Sequence, residues 1–305
     1  MLREDFIEKI SISNWDKGSV LGRGSFGHVY LGVPNKPYLA NVAIKSAPYQ
    51  TACSLIREKV VLQKFIGCPE IVQYIGEALT VNTDDNIVYD LILEYAASGS
   101  LAHLIKTRGR LLEREVKVYL RMILQGLSCI HARGYVHCDL KPENILVFPI
   151  GDRKKMKLKI ADFRLSERYF GKKLEESGKL KFRGTPKYMS PESLIGKIKP
   201  SLDIWSLGCV LVNMISGKCV WNDCTTREEV LLKLMFEMKT PNIPEELSFQ
   251  GKDFLQKCFE RNPKERWSAD MLLNHPYLVE EEDSIEMLPI FIGLLTIMII
   301  VAILF

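Results

Sequence analysis

The sequence lacks the cysteine patterns that mark metal centres and disulfide frameworks. Its eight cysteines are scattered over 305 residues, with no CxxC pair and no zinc-ligand spacing. The first ten residues, MLREDFIEKI, are charged and lack the apolar core of a signal peptide. These absences favour reduced thiols in the cytosol over a secreted, disulfide-bonded protein.

Basic residues are missing from the end of the chain. No Lys or Arg follows Arg266, and five acids lie between 280 and 286, so the net charge of +4 conceals a more basic part before them. A basic face suits acidic or phosphorylated partners and anionic lipid, although a generally solvated lysine-rich surface explains it equally well. We expect no nucleic-acid partner. The composition, 47% hydrophobic and 26% charged, argues against a disordered chain.

The segment 137–144 has the sequence HCDLKPEN and carries the densest chemistry. Phosphoryl transfer requires a carboxylate to orient the attacking hydroxyl, cations on the phosphates and a fixed geometry. Asp139 offers the carboxylate, Lys141 a cation for the transferring phosphate, and Asn144 an uncharged oxygen ligand for Mg²⁺. A merely polar helix-to-strand connection is the alternative, but this order of side chains favours a phosphoryl-transfer site.

A glycine pattern near the start of the chain, GxGxxGxV, indicates nucleotide binding. Dinucleotide folds share the pattern, but here a β-branched residue and a strand-like segment follow it, and no βαβ unit does. This favours a glycine-rich hairpin over nucleotide phosphates and argues against a nucleotide-dependent dehydrogenase. The candidate residues are Leu21, Gly22, Gly24, Gly27 and Val29.

A second phosphate-binding motif, VAIK, lies on a predicted strand and contains Ala43 and Lys45. Lys45 would pair with the α- and β-phosphates and be held by a carboxylate on a helix. Glu58, in the predicted helix 54–65, is the best candidate, with Glu70 and Glu77 as alternatives.

Two further segments complete the predicted nucleotide site. An apolar strand predicted over 86–93 leads into Glu94-Tyr95-Ala96, which resembles the hinge of a protein kinase, and this resemblance implies that backbone groups of Glu94 and Ala96 bond the adenine edge. Leu146 would also contact the nucleotide. Asp162, in the sequence KIADFR, lies where a protein kinase carries DFG, and this resemblance makes it the expected main ligand of Mg²⁺.

As an ordered set over about residues 15–278, these motifs resemble the eukaryotic protein kinase superfamily. The segments SLIREKVVLQKF and EIVQYIGE are similar to plant-type single-domain mitogen-activated protein kinase kinase kinases. The resemblance implies an α+β, two-lobed protein-kinase-like fold: a small, mainly β N-lobe (15–93), a hinge (94–97) and a larger, mainly α C-lobe (98–278). The implied function is a serine/threonine kinase that uses ATP and Mg²⁺ and phosphorylates mitogen-activated protein kinase kinases.

The resemblance also assigns roles outside the nucleotide site. Thr185 would bridge Asp139 and Lys141, and Arg266 would be the buried partner of Glu192. The segment 165–183 would be the activation segment, with Ser166, Tyr169, Ser177 and Thr185 as the hydroxyls of this region.

Two residues depart from the family pattern. Cys138 replaces the arginine before the catalytic aspartate, so a phosphate on the activation segment would lack that partner. Arg164 replaces the glycine of DFG, and a left-handed backbone there would cost about 1–2 kcal/mol. Arg164 keeps open a second hypothesis, a catalytically weak scaffold that binds nucleotide or partner kinases. The retention of the other motif residues favours an active enzyme.

The end of the chain, 287–305, contains an uncharged apolar run, LPIFIGLLTIMIIVAILF, after a short acidic linker (279–286). The run is just long enough to cross a thin bilayer as a helix. It predicts a single-pass, tail-anchored protein whose kinase domain faces the cytosol. A helix docked on the domain and a misread end of the coding sequence are the alternatives.

Overall fold

A computed structural model describes residues 14–24, 27–81, 85–151, 155–169 and 183–279 of the chain. The charged first ten residues, the hydroxyl of Ser177 and the predicted membrane anchor lie outside these residues. Within the described part of the chain, no helix is both long and apolar enough to span a bilayer.

The N-terminal part is a five-stranded antiparallel sheet with the order β1-β2-β3-β5-β4. β3, which carries Lys45, is the central strand, so Lys45 is not an exposed lysine on a sheet edge. The strands are β1 Trp15–Gly24, β2 Gly27–Pro34, β3 Val42–Pro48, β4 Tyr74–Val81 and β5 Ile87–Glu94.

One helix, α1 Cys53–Leu62, packs against this sheet. Its buried residues recur at helical spacing, which turns one face towards the core. They are Leu55, Glu58, Val61 and Leu62. The predicted helix 54–65 ends earlier as an α-helix and continues as a 3-10 turn, Gln63–Phe65.

The C-terminal part is mainly helical. Residues 101–132 form two helices, because Gly109 adopts a positive φ of 75° and ends the first. α4 is buried along nearly its whole length and forms the centre of this part. The helices are α2 Leu101–Arg108, α3 Glu113–Ala132, α4 Ser201–Ser216, α5 Arg227–Met235, α6 Phe249–Cys258 and α7 Ala269–Leu273.

Two small antiparallel pairs place the chemical motifs. β6 Tyr135–Val136 pairs with β9 Glu167–Arg168, and β7 Ile145–Ile150 pairs with β8 Lys155–Ile160. The segment 137–144 therefore runs between β6 and β7, and Asp162 follows β8 directly. The expected division into a mainly β and a mainly α part is confirmed.

Backbone hydrogen bonds join the two parts behind the cleft between them. The Ile160 amide donates to the Glu70 carbonyl at 2.8 Å, and the Val72 amide donates to the Ile160 carbonyl at 2.9 Å. Because Ile160 precedes Asp162 by two residues, the same contacts fix the start of the loop that carries this carboxylate.

The predicted pair of Arg266 and Glu192 is confirmed, and both side chains are buried. Arg266 Nη1 lies 2.5 Å from Glu192 Oε1, and Nη2 lies 3.2 Å from Oε2. The guanidinium also donates to the carbonyls of Ser201 at 2.8 Å and Glu260 at 2.7 Å. It thereby ties the start of α4 to the segment after α6.

We expect Arg266→Ala to lower the free energy of unfolding by about 3–5 kcal/mol, because it leaves the Glu192 carboxylate buried without its cation. The control is Arg108→Ala, which removes the partner of Glu115 in an exposed pair with the same bidentate geometry. That change should cost less than about 1 kcal/mol. Urea denaturation of both variants measures the difference, and equal losses would contradict the assigned role of burial.

Candidate active site

A cavity of about 620 Å³ opens between the sheet and the helical part. It is lined by most of the residues that the motifs single out for nucleotide binding. They are Leu21, Gly22, Val29, Ala43, Lys45, Leu93, Glu94, Ala96, Asn144, Leu146 and Asp162. Gly24, Gly27 and Glu58 do not line it.

The glycine-rich hairpin joins β1 to β2 above this cavity, and Gly24 pairs with Gly27 at its tip. A Cβ on Gly27 would lie 2.0 Å from the Ser46 carbonyl oxygen, and the φ of this residue is +139°, so glycine is required there. A Cβ on Gly22 would meet no atom within 4 Å. The space beside Gly22 is therefore open to a ligand that approaches the backbone.

Lys45 and Glu58 form an ion pair inside the site. Lys45 Nζ lies 2.6 Å from Glu58 Oε1 and 3.8 Å from Asp162 Oδ1. Burial raises the pKa of Glu58, and the positive charge of Lys45 opposes this rise. The alternatives are excluded as partners of Lys45, since Glu77 pairs with Lys59 and Glu70 with Lys157.

The segment after β5 is held by side-chain contacts. The Glu94 carboxylate accepts from Lys159 Nζ at 2.6 Å and from the Gln73 amide at 2.8 Å. The Glu94 amide donates to the Gln73 carbonyl at 3.1 Å. The backbone amide of Glu94 is therefore already engaged, and its backbone carbonyl is the group that could accept a hydrogen bond from the adenine amino group. Ala96 lies two residues on and faces the same cavity.

Asp139 lies in a hydrogen-bonded cluster at the inner end of the cleft. Asn144 Nδ2 donates to its carbonyl at 2.8 Å and to its Oδ2 at 3.2 Å. Thr185 Oγ1 donates to its Oδ1 at 2.8 Å and accepts from Lys141 Nζ at 2.7 Å. Lys141 Nζ also lies 3.0 Å from Asp139 Oδ2. Asp139 therefore contacts each of the other three side chains that the sequence singles out for the transfer step.

Asp203, in the first turn of α4, holds the backbone of this cluster. Its fully buried carboxylate accepts from the amides of His137 at 2.8 Å and Cys138 at 3.0 Å, and contacts His131 Nε2 at 2.8 Å. Cys138 has a positive φ of 68°, which is unfavourable for a residue with a side chain. The two bonds to Asp203 stabilise this conformation and fix the direction of Asp139. The signal for this role in the sequence was a carboxylate in an otherwise apolar segment.

Asp162 also has a left-handed backbone, with φ 67° and ψ 73°. Its Oδ1 accepts from Arg164 Nε and its Oδ2 from Arg164 Nη2, both at 2.5 Å. Burial disfavours the charged form, but Lys45 and Arg164 outweigh it and hold the pKa of Asp162 below its usual range. The same pair raises the pKa of Arg164.

The cost of a left-handed backbone at Arg164 does not arise. Arg164 lies in the 3-10 turn Phe163–Leu165, and its φ is not positive. The unfavourable conformation falls on Asp162 instead, and Phe163 anchors the turn. Its ring is fully buried, and its amide donates to Glu58 Oε1 at 3.3 Å.

Cys138 is a buried, packed side chain. It is 3% exposed, and burial raises the pKa of its thiol well above the ordinary value, so the reactive thiolate is disfavoured. Inert packing is thus favoured over a redox role.

Several cavity residues were missed by the motif analysis because they contribute shape and backbone rather than characteristic side chains. Glu143, within HCDLKPEN, carried the clearest available signal. Tyr95 and Ala97 belong to the predicted hinge, and the missed residues are Val72, Ser98, Gly99, Ser100, His103, Glu143 and Ala161.

The donor set suits a hard divalent cation. The Asp162 carboxylate and the Asn144 amide face one cavity, and Mg²⁺ prefers such oxygen ligands together with phosphate oxygens. Among the described residues there is no group of three or more His, Cys, Asp or Glu side chains that could hold a metal by itself. The residues therefore fit a cation that is shared with nucleotide phosphates, and Asp162 and Asn144 would hold it.

Comparison with known proteins agrees with this geometry. The protein kinase domain family matches residues 15–278. Mitogen-activated protein kinase kinase kinase 20 of Arabidopsis thaliana is 39% identical over 279 residues, which cover 88% of this chain and 80% of that protein. Mitogen-activated protein kinase kinase kinase 17 of the same plant is 35% identical, over 88% of this chain and 70% of its own. The YODA kinase of that plant is 36% identical, but the match covers only 29% of its length.

The match covers most of the chain, and it includes the glycine hairpin, the Lys45–Glu58 pair, the Asp139 cluster and Asp162. The chain belongs to the protein kinase domain family and is a protein serine/threonine kinase.

Proposed function

We propose that this kinase acts as a mitogen-activated protein kinase kinase kinase, which transfers the γ-phosphate of Mg²⁺-bound ATP to serine and threonine hydroxyls of mitogen-activated protein kinase kinases. The observation that carries the transfer chemistry is the contact of Thr185 with both Asp139 and Lys141. The substrate class rests on the names of the relatives, which are kinases of this level over nearly the same length of chain.

The geometry suggests a role for each side chain. The Asp139 carboxylate would accept the hydrogen bond of the acceptor hydroxyl and align its oxygen with the phosphate. Lys141 would place a positive charge beside the transferred group, and Thr185 holds both side chains in register. Mg²⁺ bound by Asn144 and Asp162 would neutralise charge on the phosphates. Lys45, whose Nζ lies 3.8 Å from Asp162 Oδ1, would bind the α- and β-phosphates in the same cavity.

The alternative is a nucleotide-binding scaffold with weak activity, and Arg164 is the one feature that supports it. The structure places Arg164 in an unstrained turn, and it retains the contacts of Lys45, Glu58, Asp139 and Asn144. An active enzyme therefore accounts for more of the site than a scaffold does.

We expect Asp139→Asn to lower the rate of phosphate transfer to a mitogen-activated protein kinase kinase by about 10²–10⁴-fold, because an amide cannot accept the hydroxyl proton. Binding of ATP should change little. Asp223→Asn, at a side chain far more exposed, is the control and should keep full activity. Radiolabel incorporation measures transfer, and full activity of the Asp139 variant would exclude the assigned role.

We propose that activation depends on the carboxylate of Glu167. It would not depend on an activation-segment phosphate bound by Cys138, the residue before Asp139. Glu167 pairs with Arg57 of α1 at 2.7 Å and also with Arg183, which lies near the end of the activation segment. Arg57 also donates to the Ser166 carbonyl at 2.9 Å. These contacts connect α1 to both ends of the activation segment.

Phosphatase treatment should therefore leave the specific activity of the purified chain nearly unchanged. Glu167→Gln, which weakens both arginine contacts, should lower it by about tenfold. Glu115→Gln, in the exposed pair with Arg108, serves as the control. Loss of activity on phosphatase treatment, with a fully active Glu167 variant, would refute this mode of activation.

The apolar tail is proposed to anchor the kinase to a membrane. This proposal rests on the sequence of 287–305 alone, which is apolar on all sides when drawn as a helix. Each charged residue at the centre of a spanning helix costs about 2.5–3.5 kcal/mol on insertion scales.

The full chain should float with phosphatidylcholine vesicles in a density gradient, and Ile297→Lys combined with Ile300→Lys should abolish flotation. The double replacement by leucine at these two positions is the matched control and should float. Equal flotation of the lysine and leucine variants would show that the tail does not insert.

A further inference from the structure

We propose that Arg164 is a resident counter-ion of Asp162, which Mg²⁺ has to displace, so that Arg164 sets how strongly nucleotide binding depends on the metal. This inference rests on the proposed use of Mg²⁺-bound ATP. It assigns a metal-regulating role to the residue that departs most clearly from the family pattern.

The pair occupies both oxygens of the predicted metal ligand. Arg164 Nε contacts Asp162 Oδ1 and Nη2 contacts Oδ2, each at 2.5 Å, in the parallel geometry that makes arginine–carboxylate pairs strong. The two residues are separated by one position in a 3-10 turn, so little chain has to be ordered to form the contact. Their side chains are 25% and 16% exposed, which leaves the pair only partly screened by water.

A divalent cation would compete for the same carboxylate. Mg²⁺ requires an oxygen at about 2.0–2.1 Å and tolerates little distortion of its octahedral shell. A guanidinium within hydrogen-bonding distance of both oxygens repels an ion placed there. Glycine, the family residue at this position, provides no such competitor. Lys45 Nζ, at 3.8 Å from Oδ1, is the more distant cation.

Arg164 would have opposite effects on nucleotide affinity with and without metal. In the absence of Mg²⁺, Arg164 neutralises Asp162 and reduces the repulsion between this carboxylate and the nucleotide phosphates. In the presence of Mg²⁺, breaking the Arg164 contact subtracts from the affinity that the metal adds. Both effects reduce the ratio of nucleotide affinity with saturating Mg²⁺ to that in chelator.

The test measures this ratio with N-methylanthraniloyl-ATP, whose fluorescence changes on binding, for the full chain and for Arg164→Gln. Glutamine keeps a polar side chain in the turn but removes the charge. We expect the variant to bind the nucleotide more weakly in chelator and to show a ratio about tenfold larger than that of the unmodified chain. Arg164→Ala should shift the ratio in the same direction, and Arg108→Gln, on the surface of α2, should leave it unchanged.

A double-mutant cycle identifies the partner of the charge. In the Asp162→Asn background the ratio should be small, and Arg164→Gln should no longer alter it. An unchanged ratio in the Arg164 variants would overturn the proposal, and so would a smaller one, which would mean that Arg164 assists the metal. The assay needs no protein substrate. Normal binding without transfer to any kinase substrate would therefore contradict the proposed function alone, whereas lack of nucleotide binding by the unmodified chain would contradict both.

Discussion

A single buried carboxylate oxygen connects the elements on which the site depends. Glu58 Oε1 accepts from Lys45 Nζ at 2.6 Å and from the Phe163 amide at 3.3 Å. Its position therefore couples the central strand of the sheet, helix α1 and the turn after Asp162. Because Glu58 is fully buried, its charge is stable only with these donors in place. Displacement of α1 would therefore remove the common partner of Lys45 and Phe163.

A second buried carboxylate, Asp203, fixes the loop that carries Asp139, just as Glu58 fixes Lys45 and the turn after Asp162. It belongs to α4, the most buried helix, and it fixes two successive amides before Asp139. The reacting groups thus lie on short loops, while buried helices hold the loops in place. The two residues with unfavourable backbone conformations, Cys138 and Asp162, lie on these loops, and the packed residues around them stabilise these conformations.

Much of the fold and site was accessible from the sequence because short motifs carry the chemistry. The strand with VAIK and the helix with Glu58 each combine a pattern of secondary structure with one characteristic charged residue. Asp139, Lys141 and Asn144 follow one another in a characteristic order. The structure brings Lys45 to Glu58 and Asn144 to Asp139. Positions set by three-dimensional packing were not accessible. Asp203 lies 64 residues from Asp139 along the chain, and the strain at Asp162 rather than Arg164 follows from the turn geometry. The choice among Glu58, Glu70 and Glu77 likewise required the contacts themselves.

The central claim is that this constellation transfers phosphate although Cys138 and Arg164 replace family residues. The most direct measurement is a single-turnover reaction of the full chain with Mg²⁺, γ-labelled ATP and a purified mitogen-activated protein kinase kinase, followed by mass spectrometry of the product. We expect phosphate on serine or threonine of the substrate's activation segment. Bound ATP without any phosphorylated serine or threonine would contradict it and would favour a scaffold.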